Sequence, residues 1–152
     1  MNIHSVDILY IQYKDDMIND KFNIEKIVYI LNGDKFLMKD YIYKTKKLIH
    51  ALDLLEEKYR NETDVDRSRT YFNKIKPEVE TYLKLLEEWG ELAHPLSKKG
   101  LLAIFPQQID ATIDNMRVLI MHSYYKDVRK RRYMEMKQSC YYVFTQSIDG
   151  KD

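Results

Sequence analysis

Glu91 and His94 stand three residues apart. At that spacing a carboxylate and an imidazole on one helix point the same way and can share a metal ion. A di-metal centre in a helical bundle needs that pair twice, with two further inward-facing glutamates. The residues three before His50 and His122 are Lys47 and Leu119, so there is no second copy. His94 also precedes Pro95, where a helix is expected to stop, and a solvated helix end is the expectation there. Cys140 is the one cysteine, which excludes an intrachain disulfide and a multi-cysteine zinc site. It falls on an apolar stripe, with Lys137 near and no histidine within four residues, the setting of a small hydrophobe instead of a nucleophile. Glu87 and Glu88 are adjacent, and adjacent residues diverge on a helix, so they read as a solvated face. Glycine-rich phosphate loops and G-x-S-x-G turns are absent. No catalytic residue, cofactor or metal is expected.

The strongest charge feature runs from Lys126 to Lys137 and holds six cations against Asp127 and Glu135. Lys126, Arg129, Lys130, Arg131 and Arg132 wrap the expected start of a helix, where cations oppose the macrodipole. Tyr124, Tyr125 and Tyr133 interleave the run and could stack on bases. The cluster therefore reads in three ways: contact with phosphate or nucleic acid, contact with an acidic protein, or neutralisation inside the molecule. The last would fall to Glu78, Glu80, Glu87, Glu88 and Glu91, which make the second helix acidic.

Four helices are needed to position these groups. Residues 38–76 and 107–149 hold neither proline nor glycine. An all-β domain needs turn residues every 8–12 positions or so, and these stretches do not supply them. The first helix is expected over about 39–62, on a stripe of Ile42, Ile49, Leu52, Leu55 and Tyr59, with Glu56 and Arg60 as an i,i+4 pair. The second is expected over about 67–93, capped by Asp66 or Ser68. Its stripe is Phe72, Ile75, Val79, Leu83, Leu86, Trp89 and Ala93, unbroken across Pro77, which favours a kink over a stop. The apolar link His94 to Pro106 is expected to pack across the bundle end. A third helix should begin at Pro106 and reach 124 on Ile109, Ile113, Met116, Ile120 and Ser123. A fourth, capped by Asp127, should reach 147 on Tyr133, Met136, Cys140, Val143 and Ser147. Amphipathic helices with mostly short links make an all-α, up-and-down four-helix bundle over 38–149. Trp89, Asn115 and Ser123 are the candidate lining of a pocket in its core. Tyr41, Tyr43, Tyr71, Tyr82 and Tyr141 flank the stripes, and most are expected to widen the core.

Residues 1–37 form an uncertain N-terminal extension. Asp7 to Tyr13 and Lys26 to Leu31 have strand-like composition, and Ile30 to Phe36, carrying Asn32-Gly33-Asp34, reads as a hairpin turn. A second reading places the start of translation at Met38. Asn32-Gly33-Asp34 can be encoded with a GGAGA core a few codons upstream, as in a bacterial ribosome-binding site.

Four stretches carry a family resemblance. They are Phe72-x-x-Ile75-Lys76-Pro77-x-Val79-Glu80; Trp89 followed by Ala93; Gln108-Ile109 followed by Asn115; and Ser123-Tyr124 with Lys130-Arg131-Arg132-Tyr133, then Ser139 and Tyr142. From about Met38 onward the chain resembles the YppE-like family of small bacterial proteins. The resemblance implies a helical bundle from a low-GC bacterium and transfers no activity. The histidines common in that family's fourth helix are here Lys126 and Asp127 or Arg129, which speaks against histidine chemistry.

The whole chain has 152 residues and a net charge of +1, the size of one domain and too neutral to coat a polyanion generally. Its 45% hydrophobic and 32% charged residues exclude a disordered chain. No apolar run nears the ~20 residues of a membrane span, and no cationic start precedes an apolar stretch, so the cytoplasm is the expected compartment and no membrane partner is expected. The leading functional expectation is a non-enzymatic interaction module that binds a protein partner or itself. The alternatives are a nucleic-acid-binding protein using the basic cluster, and a bundle holding a small ligand.

Overall fold

A computed structural model describes residues 24–61 and 65–151, with side chains from Asn32 onward. It contains four helices and, among the described residues, no strand. They are α1 (Ile24–Asn61), α2 (Arg69–Lys98), α3 (Pro106–Tyr125) and α4 (Lys130–Ile148). Each helix packs on the next in sequence, α4 returns to α1, and α1 also meets α3 across the middle. The product is the all-α bundle expected, with α2 and α4 at opposite corners.

The 38 residues of α1 span about 57 Å at 1.5 Å per residue. Its buried seam is Leu37, Tyr41, Thr45, Leu48, Leu52 and Leu55, steps of three and four that keep one face inward. The expected stripe was offset: Ile42 and Ile49 flank the seam half-buried, because Tyr41 and Thr45 fill inward positions with polar groups that bond inside. The hairpin expected around Asn32-Gly33-Asp34 is helix instead. Glycine in a helix interior costs about 1 kcal/mol relative to alanine, but here Gly33 is buried and Leu37 enters the core one turn later. Asp34 Oδ1 lies 2.9 Å from Lys99 Nζ, tying this turn to the far end of α2. The strand expected over Asp7 to Tyr13 lies outside the described residues.

Ser68 caps α2 by accepting from the Tyr71 amide at 3.1 Å, and Asp66 Oδ1 accepts from the Ser68 amide at 2.6 Å. Tyr71 is buried where Phe72 was expected, and Phe72 is 46% exposed. The Tyr71 hydroxyl explains the exchange: it donates to the Tyr124 carbonyl of α3 at 2.6 Å, a partner phenylalanine lacks. The helix passes through Pro77 and also Pro95, ending five residues later than expected. Each proline removes the bond to the carbonyl four residues earlier. Those residues, Asn73 and Glu91, are exposed, so water can serve the freed carbonyls. The left-handed Gly100 (φ 72°) then turns the chain. In the link Leu102 and Ile104 are buried as expected, but Phe105 is 70% exposed.

Pro106 occupies the first turn of α3, and Gln108 Oε1 accepts from the Phe105 amide at 2.9 Å. An alanine-like Cβ placed on buried Gly90 would lie 2.8 Å from Ile113 Cδ1, so α2 and α3 approach closely there. α4 begins at Lys130, not 127, and buries Tyr133, Cys140, Phe144 and Ser147, with Met136 and Val143 at the margins.

Candidate interaction surface

The basic cluster sits on the corner between α3 and α4. Lys126 ends α3 in the left-handed conformation (φ 53°), its amide donating to the His122 carbonyl at 2.8 Å. Asp127 does not cap α4 as expected, because its carboxylate is held by His122 Nδ1 at 2.5 Å and Arg67 Nη2 at 3.1 Å. The His122 contact, then that of Arg67, holds the Asp127 carboxyl below its ordinary range. The Tyr59 hydroxyl donates to the Val128 carbonyl at 2.7 Å. The corner is thus fastened to α1, to α3 and to the segment before α2.

Arg129 takes the N-cap position with no side-chain cap bond, and Arg129, Lys130, Arg131 and Arg132 are all exposed. Arg131 meets Glu135 at 3.3 Å across one helical turn, a water-exposed contact that holds little energy. The side chains of Arg129, Lys130 and Arg132 have no ion-pair or hydrogen-bond partner among the described residues. Lys126 is half-buried beside them. Lys137 leaves the cluster altogether: its ammonium turns onto α1, 2.6 Å from Glu56 and 2.8 Å from Asp53.

The acidic α2 does not neutralise this corner, because it lies diagonally across the bundle from α4. Glu78 meets Lys58 at 3.8 Å and accepts from the Tyr124 hydroxyl, Glu80 meets Lys76 on its own helix, and Glu88 meets Lys44 of α1 at 3.9 Å. Glu87 and Glu91 are, respectively, exposed on the outer surface of α2 and one turn further along it. The interleaving tyrosines also face inward. Tyr133 is buried and stacked on Tyr59 with centroids 4.0 Å apart, and its hydroxyl shares a 2.6 Å bond with Ser123. Tyr124 is buried, and Tyr125 packs edge-on to Tyr71 with the Arg67 guanidinium over its ring. None of the three offers an open face at the corner.

The candidate pocket residues are placed differently. Trp89 is buried at the centre, its indole N–H donating to Thr45 Oγ1 at 3.0 Å. Ser123 is buried, donating to the Leu119 carbonyl at 2.7 Å besides its bond with Tyr133. Asn115 is half-buried on α3. No hydrogen bond joins any two of the three. Glu91 is exposed and His94 instead meets Asp110 of α3 at 2.9 Å, so the spacing that suggested a metal pair serves a helix–helix contact. Among the described residues no group of three or more His, Cys, Asp or Glu is placed to hold a metal.

Burial pushes the Cys140 thiol up to about 12. In the folded protein Cys140 should therefore resist a disulfide reagent such as dithionitrobenzoate at neutral pH, and react at once in denaturant. Rapid native labelling would show an open path to α4.

The Lys137 contact is the feature that motif reading missed, since its partners lie 81 and 84 positions earlier in the chain. The hydrogen bond from Lys137 holds Glu56 below its ordinary 4.5, with Arg60 assisting at 2.6 Å. Burial works against the Lys137 charge, but the bonds to Asp53 and Glu56 outweigh it and raise its pKa above the ordinary 10.5. A depressed acid contributes stability above 4.5 that is lost as pH falls through its folded value. A raised base contributes below 10.5 and loses it as pH rises through its folded value. Lys137→Met should therefore cost about 1–2 kcal/mol across the middle of the pH range. The deficit relative to wild type should shrink below pH 4.5, which chemical denaturation at pH 3.5 and pH 7 would show.

No described helix is long and apolar enough to cross a membrane. A family model described as a bacterial domain of unknown function (DUF1798) matches residues 45–149. The chain is 27% identical over 108 residues to the uncharacterized protein YppE of Bacillus subtilis strain 168, covering 70% of this chain and 88% of that protein. The solution NMR structure of YppE from Bacillus subtilis superimposes with a TM-score of 0.62 at 26% identity, covering 72% of this chain and 90% of that one.

Proposed function

The chain belongs to the bacterial DUF1798 family of unknown function, and from that premise we propose that it is a non-enzymatic cytoplasmic interaction module that docks an acidic protein surface through Arg129, Lys130, Arg131 and Arg132. One observation carries the reading. Four successive cationic side chains stand exposed at a helix N-terminus, where they oppose the macrodipole, and the acidic helix that could have neutralised them lies at the opposite corner. The corner beneath is fastened by Tyr59 and by the His122–Asp127–Arg67 contacts, so the surface is held in place before a partner arrives. Protein is favoured over nucleic acid because the neighbouring tyrosines present no stacking face. It is favoured over a core ligand because Trp89 and Ser123 are enclosed by protein partners.

The test is a mildly cross-linked pull-down from native cytoplasm. The full chain is run beside Arg129→Glu/Arg131→Glu/Arg132→Glu, with thermal unfolding confirming that both are folded. Wild type should retain an acidic protein that the charge-reversed chain loses, and the purified pair should weaken steeply with added salt. Retention of nuclease-sensitive material would overturn the choice of partner. Equal recovery by both chains would overturn the choice of surface.

A further inference from the structure

A groove of about 850 Å³ runs between α1 and α2. Tyr43, Ala51 and Leu54 line it from α1, and Thr81, Tyr82 and Leu85 from α2. Tyr43 is 60% exposed and Leu54 42% exposed, so two large side chains on the wall stand open to water. Positions 43, 47, 50 and 54 recur at helical steps on one face of α1, as do 81, 85 and 88 on α2. The face on α1 is about 16 Å long, roughly three helical turns.

Cations outnumber acids around the groove. Among the lining residues, Lys46, Lys47 and Lys84 are the cations and Glu88 the acid, and Glu88 already has Lys44 at 3.9 Å. Lys47 stands over the Tyr43 ring at 5.2 Å, placing a cation directly above the apolar wall. Both walls are helices whose backbone groups are bonded internally, so neither can extend a sheet onto an incoming strand. What the groove offers is apolar side-chain surface at helical spacing, edged by cations. A symmetric contact with a second copy would bring two lysine-rich rims together, an arrangement like charge disfavours.

We infer that the α1/α2 groove receives a single amphipathic helix of a partner protein, with apolar residues at steps of three and four and acidic residues on its flanks. The groove is separate from the α3–α4 corner, and the inference does not rest on the function proposed for that corner.

The test titrates the full chain against a fluorescein-labelled peptide of about 14 residues, long enough for three to four turns, with Leu at steps of three and four and Glu on the flanks. The same composition scrambled, and the same pattern with Lys for Glu, serve as comparisons. Saturable anisotropy is expected for the acidic amphipathic peptide, at least about tenfold tighter than for either comparison. Leu54→Asp, or Lys47→Glu/Lys84→Glu, should weaken it about tenfold or more, while Arg129→Glu/Arg131→Glu/Arg132→Glu should leave it unchanged. If Leu54→Asp loses its helical circular dichroism, the more exposed Tyr43→Glu takes its place. Absence of binding, equal binding of the scrambled peptide, or loss in the corner variant would each overturn the inference. So would a dimer of this chain that Leu54→Asp dissociates while peptide affinity stays unchanged.

Discussion

Trp89→Ala should lose about 3–5 kcal/mol of stability, the usual cost of truncating a large buried aromatic. The single tryptophan of the chain is fully enclosed and joins three helices. From α2 it meets Phe144 of α4 edge-on at 5.1 Å and Tyr41 of α1 at 6.1 Å. Its N–H donates to Thr45, whose hydroxyl donates in turn to the Tyr41 carbonyl at 2.7 Å. Alanine would leave a cavity where those helices converge and would remove the donor to Thr45. Stabilities of single domains are about 5–15 kcal/mol, so the loss should be a large part of the total. Urea unfolding followed by circular dichroism measures it. Trp89→Phe keeps an aromatic ring in place but gives up the hydrogen bond and part of the packing, for about 1–3 kcal/mol. A small effect of alanine would mean that Trp89 lies outside the cooperative core.

A chain shortened to begin at Met38 should be markedly less stable than the full chain, although 38 is where the sequence pattern alone would begin the bundle. Helix α1 runs unbroken across that position. Leu37 is 1% exposed within the core, and Asp34 stands 2.9 Å from Lys99, whose side chain is nearly enclosed. Leu37→Ala alone should cost about 2–5 kcal/mol. Asp34→Asn should add to that by up to about 1 kcal/mol, because the ammonium then faces a neutral group. Truncation should cost at least as much as the two together. If the shortened chain unfolds at the same urea concentration as the full one, residues 24–37 do not belong to the folded unit.

Both proposed surfaces follow from how the helices are arranged around α1. It touches all three others, so its outward residues are confined to narrow strips. One strip, with Tyr43 and Leu54, becomes a groove wall beside α2. Asp53 and Glu56, on another, draw Lys137 inward and thereby separate it from the basic run that precedes it. Of the cations left at the α3–α4 corner, Arg131 meets only the exposed Glu135, and the side chains of Arg129, Lys130 and Arg132 have no ion-pair partner among the described residues.

The chain's own periodicity determined much of this protein. Apolar residues at steps of three and four, with few glycines, can bury one face only as helices, and Pro106, Ser68 and Gly100 mark ends through local backbone chemistry that needs no distant partner. Family membership was legible from residues scattered over α2 to α4, within the 45–149 stretch that the family model matches. Tertiary structure decided the rest. Asn32-Gly33-Asp34 is a turn by propensity and a helix in fact, because Lys99 and the core neighbours of Leu37 act there from far along the chain. Tyr71 displaced Phe72 from the interior through a hydroxyl bond to α3. Whether an acidic helix screens a basic one depends on which corners of the bundle they occupy. Helix period says which way a side chain faces its own axis, and only the packing of four axes says what stands opposite.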